Sequence, residues 1–333
     1  MGCSQSSIQL KDEEPKILKR IETIIQSEEL GTGLGVQSLV EMEDKRIATG
    51  GSDGNISISS YNINESKWQR DIFKEDAHED SVYSLYALKG NKLLSAGRDA
   101  LIKLWATSEK DITLIKDLPI HDASVFKIIL LSNNCFASCS ADSTVKIWKN
   151  DDTYECVSTL VHAGGRIPSI LQSKVTKELI SSSFIPDESD PESDNPCISF
   201  WNLNNSELQY VMVGYGVGLP SHMIELPNGD VALSMDMKPS RIVIIDCSKY
   251  QVKKQIQSED IISFSSLCVL DQHSFIYAFQ PNIFQISIND YSILTKAEGG
   301  HFFGLSGIIP IQGGKYFVID TFGGAGINKM CFD

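Results

Sequence analysis

The sequence predicts an all-β fold in which four-stranded antiparallel sheets repeat around a closed ring, about seven to the turn. Three observations lead there. The chain contains a gap-free internal repeat with a 43-residue period. Four chemically distinct residues keep their phase within it. Each unit also reads as short strands punctuated by tight turns, with no helical periodicity between them.

The repeat is explicit. His78 to Trp105, HEDSVYSLYALKGNKLLSAGRDALIKLW, aligns without gaps on His121 to Trp148, HDASVFKIILLSNNCFASCSADSTVKIW, with nine of 28 positions identical. His78, Ser95, Asp99 and Trp105 recur 43 residues later as His121, Ser138, Asp142 and Trp148. Within the first unit, Val82 to Leu88 reads as a strand and Lys89-Gly90-Asn91 as a hairpin turn. Lys92 to Ala96, the turn Gly97-Arg98-Asp99, and Leu101 to Trp105 follow, with a fourth strand around Ile112 to Ile115. Four antiparallel strands every 40 to 45 residues is the pattern of a propeller blade.

On these residues the chain resembles the WD40-repeat family over nearly its whole length. The resemblance implies that each His–Ser–Asp–Trp set is a structural tetrad, hydrogen-bonded in series from the indole to the carboxylate. The physical need is clear: a buried indole N–H requires an acceptor, and every further buried polar group requires a partner of its own. The Trp-Asp dipeptide is missing, since Ala106, Lys149 and Asn202 follow Trp105, Trp148 and Trp201.

Other blades are degenerate but legible. The first, Gly35 to Tyr61, places Thr49 and Asp53 in the Ser and Asp slots and Ser59 in the Trp slot. The fourth opens with His162 and closes with Trp201, stretched by an acidic insertion at 186–196. A fifth begins near Ser221, a sixth near Ile261 and a seventh spans Phe303 to Phe332 with only three strands. A ring cannot leave that edge open, because unpaired backbone groups invite association. In the family an N-terminal strand completes the last blade, and residues 16–26, KILKRIETIIQ, are the candidate. Topology favours a strand there, whereas Ile17, Leu18, Ile21, Ile24 and Ile25 also fit a helical face. The expected organisation is a flexible tail at 1–15 and a single propeller over 16–333.

Composition narrows function. Lys and Arg total 29 against 43 Asp and Glu, a net charge of −14, so the surface repels phosphate backbones and nucleic acid is not an expected partner. No stretch reaches the roughly 18 apolar residues of a spanning helix. The eight cysteines form no CxxC pair and no cleavable signal sequence is visible, which fits free thiols in a reducing, cytoplasmic setting. Cys135 and Cys139 share a strand face but lack two further ligands, so no zinc site and no cofactor is expected.

The first residues, Met1-Gly2-Cys3-Ser4-Gln5-Ser6, match the N-myristoylation pattern. Gly2 would supply an unhindered amine, and Cys3 beside it is the candidate palmitoylation site. One acyl chain binds membranes only marginally, so two are needed for stable anchoring. The start resembles the dual-acylated ends of Src-like kinases and G-protein α subunits, and implies association with the cytosolic face of a membrane. The alternative reading is a disordered tail that matches by chance.

Several constellations weigh against catalysis. His78, Ser95 and Asp99 look like a nucleophilic triad, but an enzyme needs one activated serine and not one per repeat. Glycine clusters at 31–35 and 323–326 lack the ending and context of a phosphate loop. The insertion lacks the glycine-bearing ligand order of a calcium loop; it reads as a solvated loop, or as a regulatory one with Ser189 and Ser193 as candidate phosphorylation sites. By analogy, propellers bind partners where loops converge at one end of the ring, which here nominates Glu79, Asp80, Tyr83, Arg98, Asp122, Phe126 and Ala141. The expected function is a non-catalytic, membrane-tethered scaffold for protein partners, itself a monomeric ring. A soluble ubiquitin-ligase receptor, a signalling-complex subunit and a propeller-fold hydrolase are the alternatives.

Overall fold

A computed structural model describes residues 18–25, 35–62, 67–118, 121–162, 164–186, 194–215, 218–236, 241–257, 266–279, 282–298, 303–311, 315–322 and 327–332, with side chains between residues 35 and 296. Its strands pair into seven four-stranded antiparallel sheets. Six are contiguous blades of four successive strands: blade 1 (Val36–Lys74), blade 2 (Val82–Asp117), blade 3 (Val125–Val161), blade 4 (Ser169–Val213), blade 5 (Leu219–Gln257) and blade 6 (Ser266–Glu298). The other sheet is composite: Leu18–Ile25 lies on the edge of Ile327–Phe332, which pairs with Lys315–Phe322 and then Phe303–Ile311.

The first strand of every sheet touches the first strand of the next, and Phe303–Ile311 touches Val36–Glu41. That contact order closes the ring and puts the first strands around its axis. Antiparallel pairing then sends the turns between first and second strands, and between third and fourth, to one end. The turns between second and third strands, and the connections between blades, gather at the other.

The sequence left residues 16–26 open between helix and strand, and backbone pairing resolves it. Leu18 sits opposite Phe332 and Ile25 opposite Ile327. A helix would satisfy only itself, whereas a strand satisfies the exposed edge of the last sheet as well. The acidic insertion is shorter than the sequence implied. Pro186 pairs with Asp194 and Phe184 with Pro196, so the hairpin ladder extends through residues assigned to the loop. Residues 187–193, with Ser189 and Ser193, lie outside the described residues, as do Gly2 and Cys3.

The core lies between blades rather than within any one of them. Ile58 and Ile72 of blade 1 pack with Leu85 and Leu93 of blade 2, and Leu94 and Leu104 of blade 2 pack with Ile128 and Trp148 of blade 3. Phe200 and Met212 of blade 4 meet Met223 and Leu233 of blade 5, and Ile242 of blade 5 meets Phe275 of blade 6. Each aliphatic side chain so buried contributes about 1.5–3 kcal/mol. No single sheet buries its faces alone, so stability is cooperative around the ring.

Candidate functional site

Two complete tetrads stand at the end where blades connect. In blade 2, Trp105 Nε1 donates to Ser95 Oγ at 2.7 Å, and Ser95 Oγ lies 2.6 Å from His78 Nε2. His78 Nδ1 is 2.9 Å from both carboxylate oxygens of Asp99. Blade 3 repeats this, with 2.9 Å for Trp148–Ser138, 2.7 Å for Ser138–His121 and 2.8 Å for His121–Asp142. One proton arrangement satisfies every group: indole N–H to serine oxygen, serine O–H to Nε2, and Nδ1–H to carboxylate. It requires a neutral imidazole. Burial holds His121 below its ordinary value despite Asp142 pulling the other way, and Asp142 and Asp99 lie below the usual carboxylate range because their hydrogen bonds outweigh burial.

The tetrad carboxylates also organise the surface. Asp99 accepts the backbone N–H groups of Glu79 (3.2 Å) and Leu101 (3.1 Å), and Asp142 accepts those of Asp122 (3.0 Å) and Thr144 (2.9 Å). Each buried chain of hydrogen bonds therefore ends by fixing the loop before a first strand and the turn after a second. Within each blade Arg98 N donates to Ser81 O and Ala141 N to Ser124 O, both at 2.9 Å, and neighbouring blades are stitched by Ser81 Oγ donating to Ser52 O at 3.1 Å and Ser124 Oγ to Arg98 O at 3.3 Å. The seven surface positions expected to form a face thus sit on a braced rim.

Within that rim, the first strands carry β-bulges, with register shifts between Val82 and Ser84 and between Val125 and Lys127. The skipped residues are Tyr83 and Phe126. A bulge re-aims the residue it leaves unpaired. Here both rings are half-buried, and their centroids lie 5.7 Å apart. Beside Tyr83, the exposed Arg98 guanidinium stands 3.6 Å from Asp80. Burial raises the Tyr83 phenol above its ordinary value, and Arg98 partly offsets this.

The degenerate blades depart from the expectation in instructive ways. In blade 1, Thr49 Oγ1 pairs with Ser57 Oγ at 2.7 Å, and Asp53 binds Asn55 N and Nδ2 at 3.1 and 2.8 Å. Asp53 therefore caps its own turn instead of orienting a described histidine. Ser59, in the Trp slot, has a buried hydroxyl with no partner among the described residues. Blade 4 holds a third, truncated set that sequence reading only half identified. His162 Nε2 and Trp201 Nε1 each meet Ser181 Oγ at 2.8 Å. The position four after Ser181, where the carboxylate would stand, is Ile185. Without that carboxylate, burial drives His162 down to about 4. The hairpin extension next to the insertion separates Ser181 from Trp201 by 20 residues instead of ten, which hid the match.

The opposite end of the ring carries a second set of contacts. Tyr154, Tyr250 and Tyr291 occupy the turns between third and fourth strands with φ of 49°, 51° and 59°. Each reaches back to the preceding blade: Tyr154 to Lys92, Tyr250 Oη to Glu178 at 2.8 Å, and Tyr291 to Asp230. In blade 4 that turn position is Ser206 (φ 60°), which meets Ser158 at 2.7 Å. Beside it opens a polar cavity of about 390 Å³, lined by Asn133, Gln172, Glu178, Asn204 and Tyr250 among others. Among the described residues no three His, Cys, Asp or Glu side chains gather as a metal site, and no helix is long and apolar enough to cross a membrane.

Comparison with known proteins agrees with this geometry. The family model described as "WD domain, G-beta repeat" matches residues 70–106 and 112–149. Each match begins inside or with the outer strand of one blade and ends inside or with the third strand of the next. Among solved structures, the chain is similar to the WD40 beta propeller domain of Doa1, with a TM-score of 0.72 and 16% identity, covering 92% of this chain and 96% of that one. No curated protein matches the sequence.

Proposed function

We propose that this chain, with two WD40 repeats set in a propeller ring, is a non-catalytic scaffold that binds a protein partner at the tetrad end. The observation that carries the reading is the Tyr83–Phe126 pair. Two half-buried aromatic rings, on the residues that the bulges leave unpaired, lie 5.7 Å apart at the end where the loops are braced by buried carboxylates. Aromatic anchors on a preorganised platform are what productive interfaces use, because little side-chain entropy is lost on binding. Glu79, Asp80, Arg98, Asp122 and Ala141 would form the polar rim around them. The tetrad serines are poor nucleophiles, since each is tied on both sides into a structural hydrogen-bond chain that recurs from blade to blade.

The test is co-purification of a C-terminally tagged chain from its native cells, comparing wild type with a Tyr83→Ala, Phe126→Ala, Arg98→Glu triple variant. Loss of a reproducible partner set, with an unchanged circular dichroism spectrum, supports the face. An unchanged set overturns it. The second half of the reading is a tether: acylation of Gly2 and Cys3 would bring that partner to the cytosolic face of a membrane, since two acyl chains suffice where one does not. Gly2→Ala should then move the chain from the membrane fraction to the soluble one. Equal solubility of both forms would leave a soluble adaptor.

A further inference from the structure

The inner wall of the ring holds a positive charge with no carboxylate beside it among the described residues. Lys127 is the residue after the bulge in the first strand of blade 3, and its side chain reaches the first strand of blade 4. Its ammonium has one hydrogen-bond partner, Ser169 Oγ of blade 4, at 3.4 Å. No carboxylate stands within ion-pair distance of it among the described residues. Cys139 is the one ionisable group that favours its charge, and burial pushes that thiol up to about 12, so it stays protonated and supplies no counter-charge.

His222 follows the equivalent bulge in blade 5. Its Nδ1 accepts the backbone N–H of Leu267 at 3.1 Å, so the neutral ring carries its proton on Nε2 as a second donor. Lys127 is near enough that its charge, added to burial, holds His222 down to about 3. Both side chains are partly exposed, on first strands that stand around the axis of the ring. Groups placed there line the central channel that the seven first strands enclose. The same burial lowers Lys127 to about 8, which leaves it mostly charged at neutral pH. A desolvated, unpaired ammonium is costly, and cations so placed are ordinarily matched by an anion.

We propose that the central channel is an oxyanion site, in which the Lys127 ammonium, the Ser169 hydroxyl and the His222 Nε2–H receive a carboxylate or phosphate oxygen. In a chain of net charge −14 such a site would be selective by position, because the surrounding surface repels anions elsewhere. Lys127 lies directly below Phe126, one residue deeper along the strand, so an acidic side chain or a free small anion entering from the tetrad end would meet it first. The site does not depend on which end of the ring takes a protein partner.

The experiment uses the full chain without partners. Lysine acetylation is followed residue by residue by mass spectrometry in chloride, in acetate and in inorganic phosphate at equal ionic strength. At an anion concentration about ten times its dissociation constant, acetylation of Lys127 should slow about ten-fold while that of the exposed Lys110 is unchanged. Protection by phosphate alone identifies a phosphate site, and protection by acetate as well identifies a carboxylate site; both support the proposal. As a second measurement, Lys127→Met should raise Tm in chloride, by removing the unpaired charge, and abolish any rise in Tm with the protecting anion. Equal acetylation of Lys127 in all three salts overturns the proposal.

Discussion

Replacing Ser95 by alanine tests the central energetic claim about the tetrads. The hydroxyl serves two buried groups at once, accepting from Trp105 Nε1 at 2.7 Å and facing His78 Nε2 at 2.6 Å. Trp105 is 2% exposed and His78 2%, so water cannot take over either bond. The change removes one oxygen and opens little space, so the loss is almost wholly polar. Leaving a buried donor or acceptor unsatisfied costs about 1–3 kcal/mol, which for two groups sums to about 2–6 kcal/mol. That is a large share of the 5–15 kcal/mol typical of a folded domain. With an m-value near 3 kcal/mol/M, the urea midpoint followed by far-ultraviolet circular dichroism should fall by about 1 M. In a Trp105→Phe background the indole donor is already gone, and Ser95→Ala should then cost at least ~1 kcal/mol less. A cost below ~0.5 kcal/mol in the wild-type background, or strict additivity of the two changes, would refute the idea that the serine holds both partners.

Beside the share that belongs to His222, part of the acid sensitivity should trace to His162. Its folded value of about 4 lies below the ordinary 6.5, so the unfolded chain binds a proton that the native one refuses. Stability is then full above about pH 6.5 and falls by ~3 kcal/mol as pH drops toward 4. His162→Gln should make that slope shallower in pH-dependent urea titrations, with the remainder carried by His222, and an unaltered slope would count against it. Gly54→Ala should be severely destabilising, since φ is +81° and a Cβ would stand 2.2 Å from the His78 carbonyl oxygen. Gly90→Ala, at φ +74° with nothing within 4 Å, should cost only the ~1–2 kcal/mol of a left-handed residue; similar melting points for the two would contradict the packing between blades 1 and 2. Burial lifts Cys139, Cys247 and Cys268 to about 12, so none should react with a maleimide at pH 7.5 before the ring unfolds.

The parts legible in the sequence are those where one residue type has one physical solution. A buried Trp with a Ser ten residues before it, and a His seventeen before that, leaves a pattern that survives in blades 2 and 3. The closing strand followed from the need to satisfy an edge, not from its own periodicity. Blade 4 was half hidden because extending a hairpin changes spacing without changing contacts. The left-handed tyrosines were missed for another reason: Tyr154 meets an amine whereas Tyr250 and Tyr291 meet carboxylates, so no one partner type marks all three. The channel pair was illegible in principle. Lys127 and His222 look like ordinary strand residues until ring closure brings blades 3 and 5 around one axis.

The composite sheet has a mechanical consequence. Residues 18 and 332 face each other at one end of the clasp, and residues 25 and 327 at the other. A load applied between 18 and 332 would pull the two strands apart from that shared end, breaking the ladder one rung at a time. The same load along opposed strand ends would have to break all rungs together. The ring is thus easiest to open where its first and last strands meet, and a short covalent link between residues 18 and 332 would convert that weakest seam into an ordinary hairpin.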